Sequence, residues 1–572
     1  MNTNNFFKLV VVILMVTFFS SYSVNAQDPV GLISLNESEV FGGYTLFAPL
    51  FSKNTYLIDM YGNEVHSWKS DYKPGNSVYM LENGNILRTG KTSNDTVGEN
   101  AFYAGGYGGL IQEIDWDGNV VWEYEYSTPE HRQHHDIEPL PNGNILFIAW
   151  QMKSYEEALE AGRNDNILTV NFWSDSIIEV NRDKEIVWEW HAWDHLSSKN
   201  GGVANGKMVS EDITDPGKIN INFINRERIS RWQNPDFYSD WLHLNAIDYN
   251  ADLDQIVIGS PHLDEFYVID HSTADYNDPA KGIKAAAGAA GDIIYRWGNP
   301  KAYGSGGLDD QMLFGHHNIQ WIEPGLPGAG NFLSFNNGFG RPTSQASFIL
   351  EFNPPVSVSG GYSFNPETSF DPDDLVWNFY SSHYSPIISG AQRLRNGNTL
   401  ICIGAQGRFK ELTPDGEVVW EYLNPVDFNG IQSSTEGMDR NYVFRTERFA
   451  PDFPGFAGRD LSPGKPLEDI PTQVAQDESP AEFSVIQNYP NPFNLSTSIE
   501  FTIHSMGFTS LDVYNVMGQN VRGLVSSDLT EGKHAVVWDG KDNFGNTVPT
   551  GFYITRLENN EISLSSRMLL VK

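Results

Sequence analysis

Three short stretches carry histidine in a pattern that chemistry can use: His134-His135-Asp136, His243-Leu244-Asn245 and His316-His317-Asn318. A neutral imidazole can act as nucleophile, hydrogen-bonding group or metal ligand, so three of them together would suit covalent group transfer or a divalent-metal hydrolase or lyase. The first stretch stands just ahead of a turn-strand signal, Leu140-Pro141-Asn142-Gly143-Asn144-Ile145-Leu146, which recurs from Leu81 to Leu87 and from Leu394 to Leu400. The histidines therefore belong to a repeat, and equivalent positions of successive repeats come close together in space. This predicts a single His-lined site. Alternation along a strand lets only one imidazole of each neighbouring pair face it, leaving His134 or His135, and His316 or His317, open.

The elements that must position these residues are strands. Aromatics make up 13% of the 572 residues, and 52 Gly and 30 Pro favour short strands and turns over helices. Six copies of a strand-turn-strand unit end in tryptophan: Tyr56 to Trp68, Leu110 to Trp122, Ile177 to Trp188, Phe266 to Trp297, Phe348 to Trp377 and Phe409 to Trp420. Asp117-Gly118 and Asp415-Gly416 mark hairpin turns inside them. With the strand pairs between them, the count is about four strands per repeat, the signature of propeller blades. The expected fold is mainly β: a six-bladed β-propeller within residues 27–455, whose innermost strands are entered by Asn76-Ser77, His134-His135, His243-Leu244, His316-His317 and Gly390-Ala391. The tryptophans read as packing.

The ends read differently. Lys8, the apolar run Leu9 to Phe19 and the small residues before Gln27 describe a signal peptide over 1–26, so the chain is expected to be exported, with no transmembrane segment. Residues 456–482 turn polar and Pro-rich and read as a linker, and 483–572 as a small immunoglobulin-like β-sandwich. The net charge of -36 argues against nucleic acid and anionic membranes as partners. Cys402, the one cysteine, lies in the apolar run Thr399 to Ile403 and reads as core. His191 and His195, and the acidic pair Asp309-Asp310, read as polar loops and not as metal sites.

Residues 488–572 resemble the type A sorting domain of the type IX secretion system. The resemblance rests on Tyr489-Pro490-Asn491-Pro492-Phe493-Asn494, Val513-Tyr514-Asn515-Val516-Met517-Gly518, Trp538-Asp539-Gly540, Gly551-Phe552-Tyr553 and the terminal Ser566 to Lys572. It implies handling by that machinery and a final location on the cell surface or in the medium. The preceding region resembles the bacterial arylsulfate sulfotransferases, through Gly43-Tyr44-Thr45-Leu46-Phe47, Tyr295-Arg296-Trp297-Gly298-Asn299-Pro300, Phe335-Asn336-Asn337-Gly338, Ser389-Gly390-Ala391-Gln392-Arg393-Leu394 and Val419-Trp420-Glu421-Tyr422.

That second resemblance implies transfer of a sulfuryl group from an aryl sulfate to a phenolic acceptor through a sulfo-histidine. No cofactor, metal or nucleotide donor is implied, and no Gly-rich phosphate loop is found. By position in the family pattern His317 is the nucleophile, His135 and His243 support it, and Asn245 binds the sulfuryl group. The family's arginine after the inner strand that holds His243 is Pro261 here, so Arg296, Arg393 or a protonated His262 is expected to supply the charge. Two other readings stay open: a metal-dependent hydrolase or lyase, and a non-catalytic surface-binding propeller, motivated by Pro261.

Overall fold

The computed structural model describes residues 29–92, 104–164, 171–224, 239–271, 293–469 (without 358–359, 366–368, 373 and 437) and 487–571 (without 504–506, 516–519, 530–531 and 560–561). The expected signal peptide and residues 470–482 of the expected linker lie outside the described residues. The chain divides into two compact units, Met1–Thr472 and Gln473–Lys572. No helix among the described residues is long and apolar enough to cross a membrane.

Among the described residues, four two-stranded sheets lie in the connections of the first unit, which is built on six antiparallel sheets, each with four strands. Their leading strands are Pro74–Met80, His131–Pro139, Ala246–Asn250, His317–Trp321, Gly390–Arg393 and Val443–Phe449. The sixth sheet joins the two ends of the unit, because Val443–Phe449 pairs with Tyr44–Pro49. Gly31–Leu35 adds a fifth strand to the edge of the fifth sheet. Each leading strand lies against the next, and the sixth returns to the first. Middle strands such as Ile145–Lys153 bury both faces, since sheets cover them on either side, whereas the outer strand Val120–Glu125 alternates between half-buried and exposed.

Two devices join successive sheets, and both explain repeated sequence signals. In the first, a glutamate on the third strand accepts from an asparagine of its own sheet and pairs with a cation of the next sheet. Asn85 Nδ2 donates to Glu113 at 2.6 Å, Asn144 to Glu179 at 2.5 Å, Asn331 to Glu351 at 2.6 Å and Asn398 to Glu411 at 2.6 Å. The matching cations are Arg182, His271, Arg393 and Arg448. The Asn-Gly-Asn signal is thus a turn whose last amide satisfies a buried carboxylate that could not remain unpaired.

In the second device, the terminal tryptophan donates its indole N–H to a carbonyl of the following sheet. Trp68 reaches Asp115 O at 3.0 Å, Trp122 Arg182 O at 2.9 Å, Trp297 Pro372 O at 2.9 Å, Trp377 Pro414 O at 3.1 Å and Trp420 Met60 O at 2.8 Å. Five of the six terminal tryptophans therefore latch sheets as well as pack between them, while the buried Trp188 Nε1 makes no such bond.

One boundary needs correction. Residues 456–469, expected as linker, pack on the first unit: Leu467 is fully buried, and Gly464 N–H donates to Glu64 O at 2.7 Å. Phe456, Leu461 and Leu467 supply the apolar contacts, diluted among Pro and Gly so that composition hides them. In the second unit a three-stranded and a four-stranded sheet share a core of Phe493, Ile499, Leu511, Val513, Trp538, Tyr553, Leu557 and Met568.

Trp420→Phe leaves the Met60 carbonyl without its donor and should cost about 1–3 kcal/mol in urea unfolding. His271 sits between Asp254 at 2.7 Å and Glu179 at 2.9 Å; burial alone would lower its pKa, but the two carboxylates outweigh it and the net is a rise to about 9. A raised folded value stabilises below the unfolded value of about 6.5 and loses that contribution as pH rises through about 9. Relative to His271→Gln, the wild type should therefore gain on the order of 2 kcal/mol at pH about 6 and almost nothing at pH about 10.5, read from unfolding midpoints.

Candidate functional site

The histidine motifs enter their strands through irregular backbone. His135, His243 and Asn318 adopt positive φ of 49°, 52° and 52°, and the register of the second sheet skips between Phe147 and Ala149, opposite residues 134–136. A bulge re-aims side chains, so the simple alternation expected for His134 and His135 does not hold. Instead their Nδ1 atoms meet at 2.8 Å.

The structure brings His135, His243 and His317 together. The rings of His135 and His243 cross edge to face at 4.5 Å, and His317 lies near enough to His135 for protonation of one to disfavour that of the other. Burial first, then the neighbouring imidazoles, hold His134 and His135 well below the ordinary imidazole range, so both are neutral. His243 Nδ1 lies 2.5 Å from Asp240 Oδ2, whose other oxygen accepts Trp150 Nε1 at 3.1 Å. His262 stacks on His243 at 4.5 Å and holds Asp240 O through its Nδ1 at 2.8 Å. His134 stacks on Trp150 at 3.8 Å and lies 3.2 Å from Asp175.

The tautomer of His317 follows from its partners. Asn337 Nδ2 donates to Ser385 O and Ile388 O, both at 2.8 Å, which turns its Oδ1 toward His317 Nδ1, also at 2.8 Å. That oxygen only accepts, so Nδ1 carries the hydrogen and Nε2 keeps its lone pair. The Ile388 N–H now donates to this lone pair at 3.1 Å, a contact that must yield before Nε2 attacks anything. His316, fully buried, has its Nε2 within 3.0 Å of the point a Cβ on Gly259 would occupy, in the seam between the third and fourth sheets. The two members of this pair are thus distinguished by position.

Gly106 packs against one edge of His135, where no side chain would fit. At φ +86°, its Cβ would lie 2.1 Å from both Cε1 and Nε2 of the imidazole, and no hydrogen bond to Nε2 is formed among the described residues.

Three expected site residues lie elsewhere. Asn245 is fully buried and its Nδ2 donates to His316 O at 2.8 Å. Its motif position is structural in all three copies: Asp136 accepts Tyr79 at 2.8 Å and Arg445 at 2.7 Å, and Asn318 accepts the Ala391 N–H at 2.8 Å. These side chains stitch neighbouring leading strands. Arg296 pairs at 2.5 Å with Glu265 and donates to Lys218 O at 2.8 Å. Arg393 is the inter-sheet cation of Glu351 at 2.6 Å. Neither guanidinium reaches the imidazoles, because each neutralises a buried carboxylate.

The residues that sequence reasoning missed are Asp175, Asp240, Asn337 and Trp150. A signal exists for Asp175, an acidic residue between the apolar pairs Phe172-Trp173 and Ile177-Ile178, and for Asp240, three residues before His243. A cavity of about 790 Å³ lies toward the far ends of the leading strands, lined by Tyr79, Glu138, Asp248, Glu323, Arg445 and Glu447 among others. No imidazole or thiol lines it, so the histidine cluster is the candidate site.

A sequence profile described as Arylsulfotransferase (ASST) matches residues 113–436, and one described as FlgD Ig-like domain matches 495–561. No curated protein matches the chain. Among solved structures it is similar to a protein of unknown function from Bacteroides caccae, at 11% identity over 71% of this chain and 99% of that one, with a TM-score of 0.37. It is also similar to a streptogramin B lyase (11%, 75% and 95%, TM-score 0.33) and to virginiamycin B lyase from Staphylococcus aureus (11%, 69% and 88%, TM-score 0.29).

With ¹⁵N-labelled histidine, His317 should give the signature of the Nδ1–H tautomer. Asn337→Leu should abolish that lock, seen as a shift of the Nδ1 and Nε2 resonances toward the exchanging values of a free imidazole.

Proposed function

We propose, from the premise that this chain belongs to the arylsulfotransferase family, that it transfers a sulfuryl group from an aryl sulfate to a phenolic acceptor through a covalent histidine. Family membership supports the aryl-sulfotransferase-like activity. The observation that carries the covalent step is the Asn337 lock, which leaves a neutral His317 with its lone pair on Nε2. In that reading Nε2 attacks sulfur once the Ile388 amide gives way, and the aryl oxide departs. Covalent catalysis splits the transfer into two like half-reactions. With Arg296 and Arg393 engaged elsewhere, the groups left to face the transferring sulfuryl group are the imidazoles, His243 among them with its Nδ1 held by Asp240.

The six sheets, their leading strands in a ring, are in this reading the blades of a closed β-propeller, and the histidines stand around its axis. The C-terminal unit is read as a type IX sorting domain, and the chain as exported to the cell surface or the medium.

A metal-dependent reading has one observation in its favour: ligand atoms of Asp240, His243 and His262 lie within 4.8 Å of one another. Against it, the two rings stack within 13°, so their in-plane lone pairs run side by side instead of converging. Asp240 is also already engaged by Trp150 and His243.

Brief mixing with 4-nitrophenyl sulfate in chelator should add about 80 Da, the mass of SO₃, to the peptide holding His317. His317→Ala should lose the adduct and roughly 10³-fold or more in turnover. Turnover that chelator removes, with no adduct, would favour the metal reading instead.

A further inference from the structure

In four seams a cation meets a buried glutamate, and the seam between the sixth and first sheets breaks that rule. Leu57 stands on the third strand of the sixth sheet where Glu113, Glu179, Glu351 and Glu411 stand on theirs, one residue before the strand ends. Yet this seam buries a guanidinium, that of Arg88. We propose that the unused edge of Arg88 holds a small monovalent anion such as chloride, sealed between the first and sixth sheets.

Strand alternation sets Arg88 in that seam. On Ile86–Lys91, Ile86 packs with Leu46, Leu57 and Trp68 of the sixth sheet, while Leu87 packs with Ile137 and Ile145 of the second. Arg88 follows Ile86 by two residues and shares its face. On Asn54–Ile58, Leu57 belongs to the same apolar cluster, so Thr55, opposite Trp68 in register, faces the seam as well. Gln112 lies opposite Arg88 in register, and Ser70, just past the outer strand of the sixth sheet, donates to Gln112 Oε1 at 3.0 Å across the seam. Thr55, Ser70, Arg88 and Gln112 are all buried, a polar patch in an otherwise apolar wall.

Arg88 is 1% exposed and uses one of its three nitrogens, Nη1, which donates to Tyr72 O at 3.2 Å. Its Nε and Nη2 have no hydrogen-bond partner among the described residues, and neither has Thr55 Oγ1. Those two nitrogens form the edge that grips a carboxylate elsewhere in the unit: Arg296 presents Nε and Nη2 to the two oxygens of Glu265, at 2.9 and 2.5 Å. Glu123, opposite Gln112 in register, is exposed and accepts Gln112 Nε2 at 3.3 Å. Burial alone shifts the Arg88 pKa, down to about 10, so the guanidinium keeps its charge at neutral pH.

A lone charge in a low-dielectric seam demands a counter-charge. Water would satisfy the N–H groups and leave the charge uncompensated, whereas an anion does both. One positive charge fits a monovalent ion, and a seam closed on both sides restricts it to a small one. The anion accepts from Arg88 Nε and Nη2 and from the Thr55 hydroxyl. It thereby ties the sixth sheet, which joins the two ends of the unit, to the first, as the glutamates do at four other junctions.

The test is thermal unfolding of the full chain, purified throughout in sodium chloride or in sodium gluconate of equal ionic strength, gluconate being too large to enter the seam. The wild-type Tm should be higher in chloride by on the order of 2 °C and should rise with the logarithm of chloride concentration. Arg88→Met, which keeps most of the apolar stem and removes the charge, should have the same Tm in both salts. Equal wild-type midpoints, the result that water alone in the seam gives, overturn the proposal, and so does a chloride effect that survives in Arg88→Met. If Arg88→Met fails to fold, wild-type crystals grown in bromide decide: an anomalous peak at the bromine edge bridging Arg88 Nε and Nη2 supports the site, and its absence overturns it.

Discussion

Burying a carboxylate between two sheets commits the structure to supplying it with partners, and the first unit rests on that obligation. Glu113, Glu179, Glu351 and Glu411 are each met by an amide of their own sheet and a cation of the next. Removing either partner would strand a charge in a low-dielectric seam, at a cost of several kcal/mol. The geometry of the junction is thereby narrow: a neighbouring sheet must place its cation at one depth and one angle. The indole latches of Trp122, Trp377 and Trp420 add a second fixed distance in three of the same seams.

The histidine cluster inherits its precision from these seams, because His135 and His317 stand on two different leading strands and His243 just ahead of a third. The strands are held to one another directly by Asp136, Asn245 and Asn318, the residues one or two positions beyond the histidines in the motif. Each motif therefore divides its labour: the imidazole faces the site, and the amide or carboxylate anchors the strand that carries it. The left-handed backbone at His135 and His243 is sustained by that anchoring and sets the direction of the rings.

Among the described residues, neither of the two expected guanidiniums serves the imidazoles. Arg296 and Arg393 neutralise Glu265 and Glu351, while the family's arginine position is Pro261. Orientation of imidazoles takes its place: Asn337 orders His317, Asp240 orders His243, and Trp150 stacks on His134. Fixed dipoles of this kind are effective because they need no rearrangement as charge develops on the transferring group.

The sequence by itself determined a mainly β chain with six tryptophan-ended repeats, a separate C-terminal unit, and the three histidine-bearing motifs that converge. Hydrophobic pattern, turn residues and repeat phase are local properties, and they survive in one dimension. Only the tertiary structure decided what each polar residue is bonded to. Arg393 and Asn245 have the residue types of a sulfuryl-binding site and serve instead as inter-sheet contacts, because their partners Glu351 and His316 come from other strands. Asp175, Asp240 and Asn337 belong to the site for the same reason, reaching imidazoles 41, 3 and 20 residues away. The bulge that turns His134 and His135 toward each other replaces strand alternation, and only the pairing of the folded sheet shows where that rule is suspended.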